Sequence, residues 1–103
     1  MSFQKLVPVS KLEEGKIFPV ETKFLRVGLL LSEGKVYAFE DVCTHDGGEI
    51  SSGTAKKCIV TCERHGASFD VRDGKVVELP ATEPLPVFPV RIIDGFVEVD
   101  LEA

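Results

Sequence analysis

The stretch 43–70 constrains this chain more than any other. It reads Cys43-Thr44-His45, then sixteen residues, then Cys62-Glu63-Arg64-His65. The chain has two histidines, and each lies in this stretch beside a cysteine. Two thiolates and two imidazoles presented by two short segments make a four-ligand metal site. Two occupants use such a set. One is a tetrahedral structural zinc. The other is a 2Fe–2S cluster in which two histidines replace two cysteines on one of the irons. Nothing else in the chain gathers comparable ligands, so the remainder reads as scaffold for these two segments.

Spacing separates the two occupants. Zinc fingers pair Cys with Cys and His with His, each pair on its own element. Here each segment carries one of each, which suits a two-iron cluster with both cysteines on one iron and both histidines on the other. This C-x-H and C-x-x-H pattern resembles the Rieske family. The flanks strengthen the resemblance: Asp46-Gly47-Gly48, Ile50 and Gly53 after the first pair, and Gly66-Ala67-Ser68-Phe69-Asp70 after the second.

The resemblance runs from Phe3 through the chain, with the two ligand segments as its specific part. It implies an all-β, antiparallel sandwich with a small cluster-binding subdomain at about 43–70, in a single Rieske domain over 1–103. It also implies one 2Fe–2S cluster held by Cys43, His45, Cys62 and His65. Two thiolates neutralise the oxidised core, whereas four would leave it negative, so such clusters span about −150 to +300 mV, above plant-type ferredoxins. High-potential members of the respiratory type carry a disulfide between positions that are Gly48 and Arg64 here, and sulfur-directed hydroxyls where this chain has Ala67 and Phe69. Without these features the chain resembles a low-potential Rieske ferredoxin. The implied function is one-electron carriage from a reductase to a non-haem iron oxygenase. A mononuclear oxygenase iron needs two further histidines and a carboxylate, and no histidine remains, so the chain reads as a carrier and not an enzyme. Two alternatives stand beside this reading: a small subunit of a nitrite-reductase-like enzyme, and a zinc-stabilised interaction module.

Composition bounds the partners. At 103 residues there is room for one modest core. With 17 acidic against 12 basic residues, net −5, the surface argues against nucleic acid or an anionic membrane as partner. It suits a soluble protein that docks on basic patches, and a monomer is expected. No apolar run is long enough to span a membrane, and the first ten residues lack signal-peptide character. Of three cysteines, two go to metal. Cys58 is left as a buried packing residue on a strand, too far from Cys62 to share its iron. A leftover thiol excludes a disulfide framework and points to the cytoplasm.

Along the chain, about eight to ten short strands are expected, with no long helix. Phe3 to Val9 opens as a strand. Ser10 and Glu13 have the form of a capping box, closed by Gly15. Ile17 to Val20 carries Pro19 and belongs at an edge. Phe24 to Leu31 is almost continuously apolar and reads as a buried strand, turned by Glu33-Gly34-Lys35 into Val36 to Phe39. Gly47, Gly48 and Gly53 are read as letting backbone N–H groups aim at cluster sulfur. Lys57 to Thr61 and Ala67 to Val71 are strands, and Asp73-Gly74 is a hairpin turn. Residues 80–89 hold four of the six prolines. They read first as a stiff linker, and by resemblance as a loop covering the cluster. Val90 to Ile93, Asp94-Gly95 and Phe96 to Leu101 make a last hairpin with one face buried.

Overall fold

The computed structural model describes residues 2–44, 47–63, 66–79 and 83–102. Among these are eleven strands: β1 (Phe3–Pro8), β2 (Ile17–Glu21), β3 (Arg26–Ser32), β4 (Lys35–Glu40), β5 (Thr54–Lys56), β6 (Ile59–Thr61), β7 (Ser68–Asp70), β8 (Val76–Glu78), β9 (Val87–Phe88), β10 (Val90–Ile93) and β11 (Phe96–Asp100). They form three antiparallel sheets, ordered β1-β11-β10, β2-β3-β4-β9 and β5-β6-β7-β8. The expected all-β fold is therefore present. No helix among the described residues is long and apolar enough to cross a membrane.

Turn chemistry sets the hairpins. Glu33-Gly34 joins β3 to β4 and Asp94-Gly95 joins β10 to β11, each with two successive positive φ values: 53° and 80°, then 51° and 79°. Those are the dihedrals of the tight hairpin turn whose twist matches the flanking strands.

Two apolar cores result. One joins Val27, Leu29 and Ala38 to Val97 and Val99, between the first two sheets. The other gathers Cys43, Ile50, Cys58, Val60, Cys62, Ala67, Phe69, Val71 and Leu85, together with Leu30 and Phe39. The β3–β4 hairpin feeds both: Leu29 and Ala38 face one core, Leu30 and Phe39 the other. A strand covered on both faces loses the polar alternation of a surface strand, which is why β3 reads as a continuous apolar run. Gly28 stays small because a Cβ there would collide with the Phe39 ring.

Several expected elements differ. The helical turn is a 3₁₀ turn over Val9–Lys11 with Pro8 at its N-cap and no side-chain cap, so the Ser10–Glu13 capping box does not form. Glu13 pairs with Lys16 instead. Phe24 is outside β3 and 73% exposed. Thr22 has closed a turn there, its Oγ1 donating to the Leu25 carbonyl and accepting the Leu25 N–H. Lys57 and Cys58 are a turn, not strand, with Lys57 at φ 55°. The strand before them, β5, has only three residues and no apolar signature. The proline-rich segment is not a bare linker: Val87 and Phe88 pair with Phe39 and Ala38 as an edge strand. Pro80, Ala81 and Thr82 lie outside the described residues.

Candidate metal centre

Cys43 follows β4 and Cys62 follows β6, so each cysteine segment leaves the end of a strand. Both cysteines are 1% exposed, belong to one apolar core, and are in no disulfide. His45 and His65 lie outside the described residues, as do Asp46 and Arg64.

The two segments are built alike. The Cys43 N–H donates to the Gly48 carbonyl (2.6 Å), and the Gly47 N–H donates back to the Cys43 carbonyl (2.8 Å). In the second, the Cys62 N–H donates to the Ala67 carbonyl (2.7 Å), and the Gly66 N–H to the Cys62 carbonyl (3.1 Å). Gly47 and Gly66 hold nearly the same positive φ, 77° and 75°. Each cysteine thus opens a tight turn that glycine closes four residues on, because only glycine takes this conformation without strain. The same turn occurs a third time, from Asp70 to Lys75, with Gly74 at φ 84°. The spacing Cys43…Gly47, Cys62…Gly66 and Asp70…Gly74 was the sequence signal for it.

This corrects one expectation. The Gly47 N–H goes to the Cys43 carbonyl and the Gly53 N–H to the Ile50 carbonyl, not to sulfur. Gly53 is small for another reason: a Cβ would strike the Thr61 carbonyl oxygen.

Three contacts fasten the proline segment beside these turns. The Thr44 hydroxyl donates to the Glu83 carbonyl (2.8 Å). The Leu85 N–H donates to Gly74 (2.8 Å), and the Glu40 N–H to Pro86 (2.9 Å). Leu85 is 2% exposed and lies in the core that holds both cysteines. Cys58 also lies in that core, with Sγ 3.9 Å from the Ser32 hydroxyl. Burial first, and a hydrogen bond with Cys58 second, push the Tyr37 hydroxyl up from its ordinary pKa. The packing role expected for Cys58 agrees with this position, though on a turn.

A bare thiolate is costly in an apolar core unless it is paired or binds metal. Two buried cysteines on matched turns in one core fit a cluster that would be neutral when oxidised. The Leu85 fastening and the charged cluster at Arg26 have no sequence signal, because each rests on a contact between residues far apart in the chain.

Residues 2–89 match the model of the Rieske [2Fe-2S] domain, and the chain belongs to that family. The cofactor is accordingly a 2Fe–2S cluster of the Rieske type, not a lone zinc. Among curated relatives, the 3-phenylpropionate/cinnamic acid dioxygenase ferredoxin subunit of Escherichia coli (strain K12) is 35% identical over 91% of this chain and 89% of its own. Among solved structures, the Sphingomonas yanoikuyae B1 ferredoxin superposes with a TM-score of 0.92 at 28% identity, covering 96% of this chain and 98% of its own. A chain in the complex of reduced oxygenase and oxidised ferredoxin of carbazole 1,9a-dioxygenase matches at 32% identity and TM-score 0.89, covering 94% of this chain and 91% of its own.

Proposed function

We propose that this protein is the ferredoxin component of a multicomponent oxygenase, taking single electrons from a reductase and passing them to the oxygenase. Relatives that are ferredoxin subunits of dioxygenases, alike over nearly the full length, favour a carrier over an enzyme and over a nitrite-reductase-like subunit. The observation that carries the reading is the pair of matched, buried cysteine turns in one core.

Cys43, His45, Cys62 and His65 are the ligand set of this proposal, within a single domain over 1–103 whose cluster-binding part is about 43–70. When bound, the cluster accepts and returns one electron. The chain does the rest. Its glycine-closed turns fix where the two cysteines point, and Leu85 and Phe69 keep water from the core behind them. Low potential follows from Ala67 and Phe69, both fully buried and carrying no hydroxyl. The protein works as a cytoplasmic monomer.

Docking falls to the ligand turns, where Glu49 and Glu63 are exposed and the path for an electron is short. The deciding experiment is iron and sulfide analysis with electron paramagnetic resonance on the purified protein and on Cys62→Ala. The expected result is a Rieske-type signal with two irons and two sulfides in the parent, lost in the variant. A colourless parent holding one zinc overturns the proposal.

A further inference from the structure

Arg26 reaches the first ligand segment from β3 and holds it at several points. The Arg26 carbonyl accepts the Asp41 N–H (2.9 Å). Its guanidinium lies 3.6 Å from Asp41 Oδ2 through Nε and 3.0 Å from Glu49 Oε1 through Nη1. Asp41 is fully buried, and its other oxygen accepts the Ser51 N–H (2.7 Å). One side chain therefore touches Asp41, two residues before Cys43, and Glu49, six residues after it, while Asp41 itself ties the segment shut at Ser51.

The arrangement is costly. Asp41 Oδ2 and Arg26 Nε are buried without a hydrogen bond, and a buried carboxylate is expensive unless its partners satisfy it. A surface pair such as Glu13–Lys16 has no such cost. A half-satisfied ionic contact persists where the geometry it enforces matters. Arginine suits the task because its planar fork reaches two carboxylates at once from a fixed orientation, which an ammonium does not. Glu21, paired across from Arg26 on β2, lies 3.8 Å from the same Nη1 and completes the charged surroundings.

We propose that Arg26 is a positioning residue for the cluster: by clamping Asp41 and Glu49 it fixes the shoulders of the first ligand turn, and so sets how tightly the cluster is kept. This rests on the ferredoxin reading for the cluster but not for the clamp, and the two fail differently. If no cluster is present in the parent protein, the ferredoxin reading falls. If the cluster is present and indifferent to Arg26, only the clamp falls.

The test compares holo wild type, Arg26→Gln, Arg26→Lys and Glu49→Gln. Two readouts are used: the rate of iron loss to a chelator, and hydrogen exchange of the Ser51 amide. Outer partners that orient metal ligands typically cost about 10- to 100-fold in metal affinity when removed. Arg26→Gln is expected to lose iron on the order of tenfold faster and to expose the Ser51 amide. Arg26→Lys keeps the charge but not the fork, and is expected to behave like Arg26→Gln. Glu49→Gln leaves the buried contact in place and is expected to fall between wild type and Arg26→Gln. It also serves if the Arg26 variants do not fold. Full recovery by Arg26→Lys would make the role one of charge alone and overturn the proposal. So would a wild-type rate of iron loss in either Arg26→Gln or Glu49→Gln.

Discussion

A single hydrogen atom decides the fit at Gly74. A Cβ there would run into the Leu85 carbonyl oxygen, and φ is +84°. Gly34 has nearly the same φ, +80°, but nothing near its missing Cβ. The two glycines separate backbone strain from close approach. Gly34→Ala should cost the left-handed penalty alone, about 1–2 kcal/mol. Gly74→Ala should cost that plus a further overpacking cost of about 1–3 kcal/mol. Urea unfolding of both variants measures the difference. Equal losses would mean that Leu85 does not lean on Gly74. From sequence, Gly74 reads only as part of an Asp-Gly turn. Its need to be glycine comes from a residue eleven positions away, and no local pattern carries that.

At the scale of elements, β7 ends in a charged turn that should be felt in acid. Arg72 hydrogen-bonds Asp70 through Nε and Nη2, the shorter contact 2.6 Å, and holds its carboxyl below the ordinary range. Hydrogen bonding to Arg72 is the largest cause. A carboxylate with a lowered folded pKa adds stability in full above its unfolded pKa of about 3.9, and loses it as pH falls through the folded value. Asp70→Asn should therefore be less stable than wild type at neutral pH, with the gap closing below about pH 4. Denaturation midpoints of both proteins across pH 7 to 2.5 check this. A gap that stays constant would remove the ion pair as its source.

Elements differ in how far the sequence revealed them. β3 was legible because a strand buried on both faces is apolar throughout, and the two hairpin turns were legible because each carries a glycine, the residue that takes positive φ freely. β5 was not, since Thr54-Ala55-Lys56 has neither alternation nor a branched apolar run. Phe24 misled because hydropathy alone places it with Leu25, while the Thr22 hydroxyl had already bent the chain. That Cys43 and Cys62 belong together was legible, because metal chemistry tolerates few spacings, and the structure buries both in one core. The clamp at Arg26 was not, because its partners Asp41 and Glu49 lie far along the chain and no local pattern links them to an arginine inside an apolar run.

At the scale of the molecule, the two cores divide the response to cluster loss. Both cysteines belong to the core with β6 and β7, and none of β1, β10 or β11 contributes to it. If these cysteines hold the cluster, as proposed, chelation takes the metal from the core they share, and metal binding supplies folding energy to such a unit. Chelated protein should exchange amide hydrogens faster across β5 to β8, while β3, β4 and β11 keep their protection. Exchange measured by mass spectrometry before and after chelation checks this. Uniform loss across all three sheets would show that the cores do not act separately.

The pairing of the first and last strands carries a practical consequence. Phe3 lies opposite Asp100, and β1 runs antiparallel to β11 up to Pro8 opposite Phe96. The two ends of the described chain therefore leave from neighbouring positions, on a sheet that takes no part in the cysteine core. A tether attached at either end, to an electrode or to a second protein, pulls on this sheet and not on the core that holds Cys43 and Cys62.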